Sequence, residues 1–281
     1  MLTDTDTSWG FQASTGLDFT DASIVDAHFE ACRHAYQDLL RRVGIQAGWH
    51  VLDAGCGPGS LLAMLADLVG PGGQVSAIDL ADEHVDLATR RVRQAGPPCP
   101  VDIVRADLLR LPHADATFDA AWCANVVQYL DDEQLRLALA ELRRVVRPGG
   151  LIAIKDLDAA LVTARPGDPF LFTDFFRLAS ASSGYARQLL RTRDLYRWLP
   201  DAGLTDVRQE TVVIEHFAPL SPAAQHFYGS SCAQLARQAI RLHAPGRWTP
   251  YLNPDDPANP LNHPQAYISE GNVLAVGRVP E

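Results

Sequence analysis

The stretch "VLDAGCGPGS", residues 51–60, sets Gly55, Gly57 and Gly59 at every second position behind Asp53. A short apolar run, "HVLDA", leads in, and a helix-like run, "LLAMLADLV", follows. Glycine loses more backbone freedom on folding than any other residue, so three in one turn are costly in ordered structure. Such a cluster between a strand and a helix signals a tight turn whose backbone something must approach closely. The N–H groups at the start of the following helix are where a ligand would be met.

Outward from this turn the pattern repeats. Strand candidates lie at 50–54, 74–79, 101–106, 118–124 and 151–156, separated by helical patterns at 61–69, 82–96 and 131–146. In the last helix Leu135, Leu139, Leu142 and Val146 recur at three- and four-residue steps, Asp131 or Asp132 can cap its start, and "RPGG" stops it. Strands alternating with helices predict a parallel sheet covered on both faces. A helical segment at 18–43 precedes the first strand. After 156 come an aromatic-rich stretch (169–185), a helix (192–203), a strand (206–217), a helix (221–242), a Pro/Asn-rich loop (244–264) and a final strand near "YISEGNVLAVGRV". No linker is long or polar enough to divide independent domains. The expectation is one domain over 1–281: an N-terminal helical cap (1–47), a core (48–156), and further elements with the last strands (157–281).

Composition narrows the function. Of 281 residues, 47% are hydrophobic and 21% charged, as in ordinary globular chains. A net charge of −10 disfavours a nucleic-acid partner. The 5 cysteines share no C-x-x-C spacing, which reads as reduced thiols in a cytoplasmic protein without a metal site. The opening "MLTDTDTSWG" lacks the basic flank and apolar core of a signal peptide, and no run approaches a membrane span. Of the 24 cationic side chains only Lys155 is lysine, a bias that suggests a GC-rich bacterial genome.

Two ligands suit the glycine turn: a dinucleotide (G-x-G-x-x-G) or S-adenosylmethionine (D/E-x-G-x-G-x-G). Ser60 stands where the dinucleotide pattern wants Gly or Ala. Asp53 suits the free ammonium of a methionine moiety. Asp79, ending "QVSAID", can accept both ribose hydroxyls. Asp107 in "ADLLRLP" (106–112) could accept from an adenine amino group while Leu108 packs on the ring.

The ordered set "VLDAGCGPG", "AIDL", "ADLLRLP", "FDAAWCANVVQYL" and "RVVRPGGLIAI", over roughly 48–156, resembles the class I S-adenosylmethionine-dependent methyltransferases. It is most similar to the small-molecule subfamily that includes the ubiquinone/menaquinone C-methyltransferases. The resemblance implies a doubly wound, Rossmann-like α/β sheet of seven strands, six parallel and the last antiparallel, with N-terminal helices and a substrate-side insertion before the last strand. It implies cofactor contacts from Asp53, Gly55, Gly57, Gly59, Asp79 and Leu80. Adenine contacts would come from His84, Ala106, Asp107 and Leu108, and a methionine-side contact from Asn125. His84 departs from the hydrophobic residue usual at its position.

Ligands of open α/β sheets sit beyond the carboxyl ends of the strands, which assigns 10–40, 157–190 and 218–265 to substrate enclosure. The aromatics Phe170, Phe172, Phe175, Phe176, Tyr185, Phe227, Tyr228, Trp248 and Tyr251 suit an apolar or aromatic small molecule. If the acceptor needs a general base, Asp156 and His216, each ending a strand, are the first candidates, with His226 and His263 as alternatives. By strand alternation Lys155 and Asp156 point to opposite sides, with Asp156 favoured as facing the site. The expected activity is methyl transfer from S-adenosylmethionine to an oxygen or carbon of such a molecule, in bacterial secondary metabolism. A nicotinamide oxidoreductase and a non-catalytic binding protein of this fold are the alternatives. Oligomeric state is not legible.

Overall fold

The computed structural model describes residues 8–281. Residues 1–7, where most of the leader reading and the start of the N-terminal cap fall, lie outside it. Seven strands form one sheet in the order β3-β2-β1-β4-β5-β7-β6, six of them parallel and β7 antiparallel. The nucleus is β1 (His50–Ala54), β2 (Gln74–Asp79), β3 (Val101–Arg105) and β4 (Phe118–Ala124), all in parallel register, with α2 (Leu62–Val69), α3 (Asp82–Ala95) and α4 (Asp132–Val145) between them. These bounds fall within a residue of those expected.

α4 starts with a reciprocal cap: Gln134 N donates to Asp131 Oδ1 at 2.8 Å, and Asp131 N donates to Gln134 Oε1 at 3.0 Å. "RPGG" ends the helix but also opens β5 (Val146–Arg165), which runs well past the 151–156 expected. Against β4 the register jumps from Phe118↔Val146 to Ala120↔Leu151. Residues 147–150 form the irregularity. A Cβ on Gly150 would lie 2.7 Å from the Asp119 carbonyl oxygen, so the close approach of β4 requires glycine there.

The chain divides into two compact units. One comprises 34–156, 192–211 and 273–281, and includes α7 (Leu195–Asp201), the start of β6 (Thr205–Phe217) and the end of β7 (Tyr267–Arg278). Its core packs Leu52, Ile78, Phe118, Leu139, Ile152 and Leu199, all buried. The other comprises residues up to 33, 157–191 and 212–272. It contains the start of α1 (Ala22–Val43), α5 (Leu171–Ala179), α6 (Gly184–Arg191) and α8 (Pro222–Arg241). Its core is aromatic: Phe172 lies 5.4 Å from Trp248 and 5.5 Å from Tyr251, and Phe175 lies 5.5 Å from Trp9, ring centre to ring centre. Phe172, Phe175, Phe176, Trp248 and Tyr251 are thus buried against one another and their neighbours, while Phe170 is exposed. No helix among the described residues is long and apolar enough to cross a membrane.

Candidate functional site

The carboxyl ends of β1 and β2 build the glycine turn. Gly55 N and Cys56 N both donate to the Ile78 carbonyl, at 2.9 and 2.8 Å, so the turn is pinned to β2 as soon as β1 ends. Gly55, Gly57 and Gly59 have φ of 89°, 53° and 84°, in the region where a side chain is strained. Their roles differ. A Cβ on Gly59 would sit 2.8 Å from Ala88 Cβ and 3.0 Å from Ala88 Cα, so this glycine admits α3. A Cβ on Gly55 would overlap Val126. Gly57 N instead donates to Asp79 Oδ2 at 2.8 Å.

Asp79 therefore organises its surroundings. Its Oδ1 accepts from Ala81 N at 2.9 Å and faces His84 Nδ1 at 3.1 Å, and its backbone carbonyl accepts from Ala106 N at 3.0 Å. Leu80 follows with 44% of its surface exposed, an apolar side chain in the open beside a carboxylate. His84 is buried beneath Asp79 and supports it. Asp107 is exposed; its Oδ1 accepts from Leu109 N at 2.9 Å and closes a local turn. Leu108 is buried in the core of its own unit.

Asp53 is buried, and burial first, then the nearby Asp79, push its carboxyl up to about 8. Its protonated form is therefore favoured near neutrality. The same causes, burial and neighbouring carboxylates, raise the Cys56 and Cys123 thiols well above their ordinary value and leave them inert as nucleophiles.

Asn125 ends β4 with φ of 57°. Its N donates to the Lys155 carbonyl at 2.7 Å, and its Oδ1 accepts from Lys155 Nζ at 2.8 Å. That ammonium is fully buried and lies 3.5 Å from the centre of the Tyr36 ring, a cation–π contact. Asp156, also fully buried, accepts from Gln128 N at 3.0 Å. Lys155 and Asp156 thus anchor the segment after β4 from two sides. Sequence reasoning singled out Lys155 as the lone lysine but set it aside; Tyr36, in a plain amphipathic helix, carried no signal.

In the other unit, His216 has a buried Nε2 with no hydrogen-bond partner among the described residues. Its pKa is lowered, mainly by burial, with Glu270 opposing and His28 adding to the effect. Burial thus disfavours the charged form of the ring. His226 and His263 are exposed, and His263 Nδ1 accepts from Gln265 N at 3.0 Å.

The donor set of the glycine turn is consistent with the expected cofactor. A buried carboxyl suits a cationic group, a carboxylate with backbone support suits a vicinal diol, and an exposed leucine beside it suits a flat ring. Comparison with known proteins agrees. A family model described as a methyltransferase domain matches residues 51–150. Methyltransferase GfsG of Streptomyces halstedii is 31% identical over 203 residues, 72% of this chain and 69% of that protein. Malonyl-[acyl-carrier protein] O-methyltransferase of Pseudescherichia vulneris is 39% identical over 137 residues, 48% of this chain; the match spans 50% of that protein's length. The fold is shared with phosphoethanolamine N-methyltransferase 2 of Haemonchus contortus, solved with phosphomonomethylethanolamine and S-adenosylhomocysteine (TM-score 0.56, 17% identity, 96% of this chain and 59% of that one). The chain belongs to the class I S-adenosylmethionine-dependent methyltransferases.

Proposed function

We propose that the protein methylates an oxygen or carbon atom of an apolar or aromatic small molecule, in bacterial secondary metabolism. The observation that carries the cofactor side is the Asp53–Gly57–Asp79 constellation: a buried, protonated carboxyl beside a carboxylate that a glycine N–H holds in place. In this reading Asp53 takes the ammonium of the methionine moiety and Asp79 the ribose hydroxyls. Leu80, Ala106, Asp107 and Leu108 frame the adenine, with His84 steadying Asp79. Asn125, aimed by Lys155, meets the methionine side.

The cofactor supplies an activated methyl group on a sulfonium, so the protein's part is alignment, exclusion of water and, for a hydroxyl acceptor, removal of one proton. Of the two candidate bases, Asp156 is engaged with Gln128 N, whereas His216 has an Nε2 that is unpaired among the described residues. This hydrogen-bonding difference alone ranks His216 ahead of Asp156 as the candidate base. Oxygen is favoured over carbon by the relative named as an O-methyltransferase, and a secondary-metabolic role by the arginine-rich composition.

The test supplies methyl-labelled S-adenosylmethionine and a panel of phenols, enols, aliphatic alcohols and free and carrier-bound carboxylic acids, and measures S-adenosylhomocysteine release. Turnover with members of the panel supports the reading. Tight cofactor binding with turnover only on anionic or carrier-bound acids would overturn the substrate class. Binding with no turnover on any acceptor would make the chain a binding protein on this fold.

A further inference from the structure

One cluster carries no catalytic or cofactor role above and lies entirely within the unit that carries α8. His28 and Cys32 are four residues apart on α1, so both face the same way. Opposite them stands Glu270 on β7, a carboxylate with 1% of its surface exposed. His28 Nε2 lies 2.9 and 3.1 Å from the two Glu270 oxygens, and Cys32 Sγ lies 3.7 Å from Oε1. One donor atom from each residue falls within 4.8 Å of the other two.

The surroundings are built to hold these three in place. Phe227 stacks on the His28 ring, 3.9 Å between centres and 7° from parallel. Asn272, fully buried, donates from Nδ2 to Glu270 Oε1 at 2.9 Å, and its Oδ1 has no partner among the described residues. Tyr228 brings its hydroxyl to 3.7 Å from Cys32 Sγ, and its ring lies 5.0 Å from that of His216, whose buried Nε2 is also unpartnered among the described residues.

A buried carboxylate is costly unless a cation offsets it, and an imidazole does so only when it takes up a proton. Imidazole, thiolate and carboxylate converging on one point are instead the donor set of a borderline-soft divalent ion. Zinc bonds of about 2.0–2.3 Å place tetrahedral donors about 3.3–3.8 Å apart, so small side-chain shifts would close the cluster. The Asn272 amide on Glu270 is the outer support such ligands ordinarily have.

We propose that His28, Cys32 and Glu270 form a zinc-class divalent metal site, with a fourth position open to water or another ligand. The site escaped the sequence because no motif spacing joins residues 28 and 32 to 270. On binding, the Cys32 thiol loses its proton to solvent and the thiolate, the neutral imidazole and the carboxylate donate to the ion. The inference is independent of the methyl-transfer reading, since its readout is the metal itself.

The full chain, stripped with chelator and reloaded with zinc sulfate, is assayed by elemental analysis; a parallel sample takes cobalt(II) as a spectroscopic probe. One ion per chain is expected, with thiolate-to-cobalt charge-transfer absorption. Cys32→Ser should abolish that absorption, and His28→Ala or Glu270→Gln should weaken zinc at least tenfold. A Cys232→Ser variant should retain both. Circular dichroism and S-adenosylhomocysteine titration identify any variant that has failed to fold, and in that case the wild-type stoichiometry and cobalt spectrum decide. Zinc at no more than background in the wild-type chain, or a cobalt spectrum that lacks thiolate absorption, would overturn the site and leave a hydrogen-bonded His–Glu pair.

Discussion

At the residue scale, Asp79 is both a scaffold and a ligand candidate. Its Oδ2 holds Gly57 N, and its Oδ1 holds Ala81 N. Replacing it with alanine removes these supports together with the ribose acceptor. The expected loss in S-adenosylmethionine affinity is about 1.5–3 kcal/mol, or roughly ten- to a hundredfold by calorimetry. Unchanged affinity would show that Asp79 does not hold the ribose. The glycines divide similarly. Gly59 faces Ala88 and Gly55 faces Val126, whereas the Gly57 N–H reaches Asp79, so Gly57 is the one we propose opens the backbone to a ligand. Gly59→Ala should lower stability by about 1–3 kcal/mol, because a side chain there is both overpacked and strained at φ of 84°. Gly57→Val should instead leave a folded chain that no longer binds cofactor. If chemical denaturation finds the Gly57 variant the less stable of the two, this division fails.

At the element scale, α4 stands on its reciprocal cap and on the stripe of Leu135, Leu139 and Leu142. Asp131→Ala should cost about 1 kcal/mol, read as a lower denaturant midpoint with an unchanged slope. Because Asp131 lies outside the cofactor constellation, S-adenosylhomocysteine affinity should stay within about threefold. The same element shows what the sequence reveals: a polar cap, an apolar stripe at helical spacing and a glycine stop are local signals. The strands β1, β2 and β4 were legible to the residue for that reason. The extension of β5 through "LDAALVTAR" was not, because alanines and aspartates carry little strand preference and only pairing with distant strands makes them extended. α6 is short and opens on the glycine of "SASSG", which reads as loop. In the candidate site, Asp53, the glycines and Asp79 sit at strand ends where the motif order exposes them. His28, Cys32 and Glu270 meet across 242 residues of chain, and nothing local announces a contact of that separation.

At the scale of the whole molecule, folding and protons are linked through Asp53, and the proposed ammonium contact would couple the cofactor to both. Its carboxyl shifts from 3.8 to about 8 on folding, so between those values the native state holds a proton that the unfolded chain has lost. Stability is full below the unfolded value and falls as pH rises toward 8, by an amount on the order of 5 kcal/mol at most. Asp53→Asn should flatten that slope and raise the midpoint of the ligand-free protein at pH 8. Cofactor binding should draw on the same proton. At pH 6.5 the ligand's ammonium is charged, since α-amino groups titrate near about 7.7–8.0. Placing it against Asp53 ionises the carboxyl and sends up to one proton to solvent. Calorimetric titration in buffers of different ionisation enthalpy reads this directly. The apparent enthalpy of S-adenosylmethionine binding should vary across buffers with a slope approaching one released proton. Adenosine, which lacks the ammonium, should give a slope near zero, and so should Asp53→Asn with the full cofactor. A wild-type slope of zero at pH 6.5 would mean that the methionine ammonium is not bound at Asp53. The buried carboxyl would then be a fixed neutral group of the turn, and Asn125 with Lys155 behind it would have to orient the methionine side alone.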